Sequence, residues 1–209
     1  MFIKSGDVIS LRHYSNSFET KGIVLDVIRE LSDDILSVKI GKNLTCVKFL
    51  EDDPVVLGLE RGGNIYISSC YVVCIVVHEG IIKLALNNEE FIVNNRAHER
   101  FPVSIHANIR NKISNEGYVA VIKNISYNGL MICSKKEEVE GNTLDVRFYF
   151  NSSEIYLGAK IMWKMKRSTD YEYGLKIIYM EYNCQSLLGN FIEKLKQEQE
   201  DFIRNLIEE

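Results

Sequence analysis

Residues 155–165 alternate strictly. Ile155, Leu157, Ala159, Ile161, Trp163 and Met165 fall on one side of an extended chain, opposite Lys160, Lys164 and Lys166. An apolar period of two over eleven residues cannot serve a helix, whose like-facing side chains recur every three or four residues. It predicts a strand with one face buried and one in water. Leu144, Val146, Phe148 and Phe150 make another inward row, and Val103, Ile105, Ala107 and Ile109 a third. Ser114-Asn115-Glu116-Gly117 and Ser168-Thr169-Asp170 supply turns between such strands. Each strand needs neighbours to bury its apolar side, and short strands without helices between them predict an antiparallel barrel.

The first half follows the same rule. Val8–Leu11, Ile23–Ile28, Ile35–Ile40, Val55–Leu59, Ile65–Ile67, Tyr71–Val77 and Ile81–Leu86 read as strands, the last two flanking the turn His78-Glu79-Gly80. Close spacing again predicts a small barrel. Asn87-Asn88-Glu89-Glu90, followed by Asn94-Asn95, is polar and turn-prone, and places a domain boundary there. The expected organisation is residues 1–93 and 94–209.

After Tyr182 the period changes. Leu187, Leu188, Phe191, Ile192, Leu195, Phe202, Ile203 and Leu206 recur at helical spacing among charged residues. Leu188, Leu195 and Phe202 are seven apart, while Gln199 interrupts the companion row. The helix either covers the second barrel or joins copies of the chain into an oligomer. The fold class is therefore mainly β, with two antiparallel β-barrel domains and a C-terminal α-helix.

Composition excludes several functions. A net charge of −4 over 209 residues is wrong for a bulk binder of DNA, RNA or anionic membrane. Tyr71–Val77, the longest strongly apolar run, is too short to span a bilayer, and the N-terminus lacks a secretory pattern. No membrane insertion and a cytoplasmic location are expected. The five cysteines form no Cys-x-x-Cys, and Cys70 and Cys74 fall on one face of an apolar strand, as buried thiols do. His13, His78, His98 and His106 lack metal-ligand spacing. No metal site, nucleophile–base pair or phosphate-cradling loop is evident, so no catalytic residue is assigned and no enzyme is expected.

Two short stretches carry polar chemistry of another kind. Asn94-Asn95-Arg96-Ala97-His98-Glu99-Arg100 holds two guanidiniums four residues apart, a spacing that shares a face in a helix or an extended chain. Each can fork onto phosphate oxygens or the O6/N7 edge of guanine. Asn124-Ile125-Ser126-Tyr127-Asn128-Gly129 offers an amide, a hydroxyl two residues on, and a glycine where a chain can turn. Taken singly, the arginines could be solvated linker residues, and Asn124 and Gly129 ordinary turn residues. Lys160, Lys164, Lys166 and Arg167 similarly read as a solvated basic edge or as a contact for an anion.

In order and at this distance, Arg96-xxx-Arg100 and Asn124-x-Ser126-x-x-Gly129 resemble the signature of the PilZ family, receptors for the bacterial second messenger cyclic di-GMP. Residues 94–182 resemble it in strand order too, down to Gly174-Leu175-Lys176-Ile177, and residues 1–93 resemble the barrel preceding the PilZ domain in flagellar-brake-type proteins. The resemblance implies a cyclic di-GMP ligand with no other cofactor, bound by Arg96, Arg100, Asn124, Ser126 and Gly129. It also implies a protein partner, a flagellar motor component or another effector, and an output in motility or surface behaviour. Asn124 stands where many relatives carry aspartate, and Asn95 where many carry a further arginine. The alternative is a degenerate PilZ adaptor that binds protein without nucleotide.

Overall fold

The computed structural model describes residues 3–13, 19–29, 34–41, 49–61, 64–93 and 98–208. Two compact units divide the chain: Met1–Asn95 together with Glu200–Glu209, and Arg96–Gln199. Each barrel has six antiparallel strands and is closed, so each strand has a neighbour on both sides.

The first barrel comprises β1 (Val8–His13), β2 (Glu19–Arg29), β3 (Asp34–Lys39), β4 (Pro54–Arg61), β5 (Asn64–Val76) and β6 (Ile81–Val93), in the order β1-β2-β3-β6-β5-β4. Ile9, Leu11, Leu36, Val38, Leu57, Val72, Ile82 and Leu84 fill its core. Three local expectations give way here. Ile65–Ile67 and Tyr71–Val77 are not separate strands, because polar Ser68 and Ser69 pair onward with β4 and β6 and β5 runs straight through them. Asn87–Val93 does not turn away; it continues β6 alongside β5. Cys70 and Cys74 do not share a face either. β5 has one extra residue against β6 between Val72 and Cys74, so Cys74 pairs with Lys83 while Cys70 stays in the core. Burial raises the Cys70 thiol to about 12, and it behaves as a small hydrophobe.

The second barrel comprises β7 (Phe101–Asn111), β8 (Gly117–Ser126), β9 (Gly129–Ser134), β10 (Thr143–Phe150), β11 (Ser153–Lys166) and β12 (Tyr171–Met180), and helix α1 (Tyr182–Glu208) follows. The order is β10-β11-β12-β9-β8-β7. Leu144, Val146 and Phe148 point inward as expected, as do Ile155, Leu157, Ala159 and Ile161. Trp163 and Met165 break the expected row. β11 gains a residue against β12 between Ile161 and Trp163, so Trp163 pairs with Gly174 and Met165 with Glu172, on the outer face. Met165 is accordingly exposed.

The two mouths of this barrel are closed differently. At one, Leu188, Phe191 and Ile192 of α1 join the core and Phe191 meets Phe150 at 4.5 Å between ring centroids, so this part of the helix covers the second barrel. At the other, the ends are polar. Asn111 donates to the Glu138 carboxylate and accepts from the backbone N–H of Ile113 and Ser114, at 2.7 and 3.2 Å. Tyr173 donates to the Lys136 carbonyl at 2.7 Å and accepts from the Glu138 N–H at 2.9 Å. These bonds satisfy polar groups that the mouth takes out of water.

One close approach fixes the packing of β9 on β12. A Cβ on Gly129 would lie 2.5 Å from the carbonyl oxygen of Leu175, a backbone atom that cannot swing aside. Gly129→Ala should therefore lower stability by about 1–3 kcal/mol, the scale of overpacking, read as a fall in urea midpoint without any ligand present. Phe148→Ala should lower it by about 3–5 kcal/mol, whereas Val119→Ala on the exposed face should stay within about 0.5 kcal/mol.

Candidate functional site

The chemistry-bearing residues meet because of register. Phe101 pairs with Ile125 and Pro102 with Asn124 between β7 and β8, and both Phe101 and Ile125 belong to the core. Side chains alternate along a strand, so Pro102 faces outward on β7 and Asn124 on β8, with Arg100 immediately before β7 and Ser126 at the end of β8. Arg100 immediately precedes Phe101, and Ser126 immediately follows Ile125, at the pair where the ladder ends.

An extra residue makes this possible. β8 is one residue longer than β9 between Ile122 and Asn124. Ile122 and Ile125, three apart, can thus both reach the core, and Asn124 and Ser126 are left on the outer wall. Asn124 is half-buried there and its amide Nδ2 lies 3.6 Å from the Met131 sulfur, a weak acceptor, so the amide oxygen is not committed to that contact. Ser126 is buried and donates to the Gly129 carbonyl at 3.1 Å, closing the two-residue turn Tyr127-Asn128 between β8 and β9. In that role Ser126 shapes the hairpin; its oxygen lone pairs remain able to accept.

Arg100 is exposed at the entry to β7. Arg96, with Asn94, Asn95 and Ala97, lies outside the described residues. Of the five predicted site residues, the structure brings Arg100, Asn124, Ser126 and Gly129 to one corner of the second barrel. Gly129 has a negative φ, so its glycine is required by the Leu175 carbonyl and not by a left-handed turn.

Tyr127 is a neighbour that sequence reasoning passed over. Its ring lies 5.5 Å from that of His98, tilted by 58°, and its hydroxyl donates to Glu193 Oε1 of α1 at 2.8 Å. That carboxylate holds the Tyr127 hydroxyl above its ordinary pKa. Trp163 is another. On the outer wall the row Pro102, Asn124, Met131, Gly174, Trp163 crosses five strands. The indole lies so close over Gly174 that a Cβ there would sit 2.0 Å from its Nε1. The one signal for this in sequence was Gly174, whose missing side chain leaves room for a large neighbour.

Chemically, this corner can receive a flat, anionic ligand. Residues bearing a guanidinium, an amide and a hydroxyl occupy neighbouring positions there, with aromatic rings nearby. Among the described residues no group of three or more His, Cys, Asp or Glu could hold a metal ion. Nor is any described helix long and apolar enough to cross a membrane.

Among solved structures the chain is similar to the inhibitor of motility MotI/DgrA of Bacillus subtilis, with 14% identity, a TM-score of 0.49, and coverage of 95% of this chain and 100% of that one. It is similar to MrkH of K. pneumonia in complex with c-di-GMP, with 12% identity, a TM-score of 0.49, and coverage of 94% and 90%. A third is YcgR from Escherichia coli in complex with c-di-GMP, with 13% identity, a TM-score of 0.47, and coverage of 96% and 88%. No curated protein matches. The family profile of the PilZ domain matches residues 94–194, a span that holds Arg96, Arg100, Asn124, Ser126 and Gly129 together, and these residues of the chain are a PilZ domain.

Proposed function

We propose that this protein is a cyclic di-GMP receptor that changes the arrangement of its two domains on binding and signals to a protein partner. The observation that carries this reading is the register that pairs Phe101 with Ile125 and Pro102 with Asn124, which brings Arg100, Asn124 and Ser126 of one PilZ domain to one corner. Arg96 and Arg100 grip a phosphodiester and the guanine O6/N7 edge, and stack on the purine faces. The Asn124 amide oxygen accepts from the guanine N1/N2 side, Ser126 bonds phosphate or base, and Gly129 leaves the wall low. The protein contributes binding; no bond is made or broken in the ligand.

Domain rearrangement follows from where the arginines sit. The division between compact units falls between Asn95 and Arg96, inside the segment that the ligand would draw onto the second barrel. A ligand shifts such an equilibrium only through its different affinity for the two arrangements. By resemblance to flagellar-brake proteins, the partner is a flagellar motor component or a related effector in the cytoplasm.

Titration calorimetry with cyclic di-GMP tests the receptor. Wild type should bind saturably, and Arg100→Ala should lose about 2–5 kcal/mol, roughly 30-fold to several thousand-fold in affinity. An identical isotherm for the variant defeats the assignment. Asn124→Asp should bind tighter by about 1 kcal/mol, since a carboxylate accepts guanine donors more strongly than an amide does. Small-angle scattering with and without the nucleotide should differ in the inter-domain region; superimposable curves would reject the rearrangement.

A further inference from the structure

The outer wall of the PilZ domain does not end at Gly129. Gly129 pairs with Lys176 of β12, and Lys176 pairs with Lys160 of β11, so one row reads Ser126, Gly129, Lys176, Lys160 across four strands. Leu175, Ala159 and Ile161 belong to the core, which turns both lysines outward, and both are exposed. Two ammonium groups directly opposite on adjacent strands repel one another. Four other basic residues of this barrel sit on acidic partners: Lys112 on Asp145, Lys136 on Glu116, Lys164 on Glu137 and Arg167 on Glu172. Lys160 and Lys176 have no ion pair or hydrogen bond among the described residues, and their flanking residues in the row, Thr143 and Gly129, are not acidic.

We propose that Lys160 and Lys176 form an anion subsite continuous with the candidate site, which takes a second phosphodiester of the ligand. This rests on the receptor reading above. Strand spacing puts Lys176 about 10 Å from Ser126, and a long, flexible ammonium side chain reaches back over that span. Gly129 supplies the passage, because the position between the serine and the lysine carries no side chain. Cyclic di-GMP has two phosphodiesters on opposite sides of its ring, so a ligand held by Arg100 at one presents the other along the wall. An anion there removes the repulsion that the empty row carries. The subsite therefore favours a doubly charged cyclic dinucleotide over a mononucleotide with the same base.

Calorimetry with cyclic di-GMP on the full chain tests this, comparing wild type, Lys160→Ala, Lys176→Ala, the double change Lys160→Glu with Lys176→Glu, and Lys135→Glu as an exposed control at the other mouth. Each alanine variant should bind about 3- to 5-fold more weakly and the double reversal more than about tenfold, with the control close to wild type. Raising salt should weaken wild type more than either single alanine variant. If wild type binds and the double reversal binds equally well, or the control falls as far as the double reversal, the subsite is refuted and the receptor reading stands. If wild type itself fails to bind, the receptor reading is lost and the subsite with it.

Discussion

The second barrel is organised by the demand that its apolar row stay continuous while individual strands carry extra residues. Closure fixes which side of each strand faces the core, so an added residue cannot simply be absorbed. It shifts everything beyond it to the opposite face. β7, β8 and β11 each carry such an addition, at Pro102/Ile105, Ile122/Asn124 and Ile161/Trp163. All three lie on the wall that bears the polar corner. Without the shift in β8, Asn124 would contest the core with Ile125; without the one in β11, Trp163 would.

This constraint also orders the helix and the hairpin. With Ile125 inward, the chain reaches the mouth at Ser126 and reverses in two residues, which puts Tyr127 beside α1. Glu193 then anchors the turn from the helix side, while Phe191 and Leu188 seal the core from above. Packing and polar geometry at this mouth are thus one problem, solved by one helix face. At the opposite mouth the same task falls to the Asn111, Glu138 and Tyr173 hydrogen bonds.

Period-two patterning was legible wherever a strand ran without interruption. Leu144 to Phe148 and Ile155 to Ile161 turned inward as their spacing said. It failed at the additions, because a single inserted residue has no compositional mark: Trp163, Met165 and Cys74 look like members of the rows they leave. Polar strand residues misled in the other direction. Ser68 and Ser69 read as a break between two strands and Asn87 to Glu90 as a turn-prone stretch, yet Ser68 and Ser69 pair with strands on both sides and Asn88 to Glu90 pair with β5, and pairing overrides local preference. Of the candidate site, the arginine and the Asn-x-Ser-x-x-Gly pieces were visible as motifs. What local reading missed, Tyr127 beside His98 and Lys176 beside Lys160, arises from contacts between strands or segments distant in sequence, which no window along the chain contains.

The demand on Gly129 that the fold makes is separable from any that a ligand would make. The Leu175 carbonyl forbids any side chain there whether or not a nucleotide ever arrives. A lineage that abandoned the second messenger would therefore keep this glycine for architectural reasons while its cationic residues drifted freely. The glycine alone therefore carries no information about nucleotide binding.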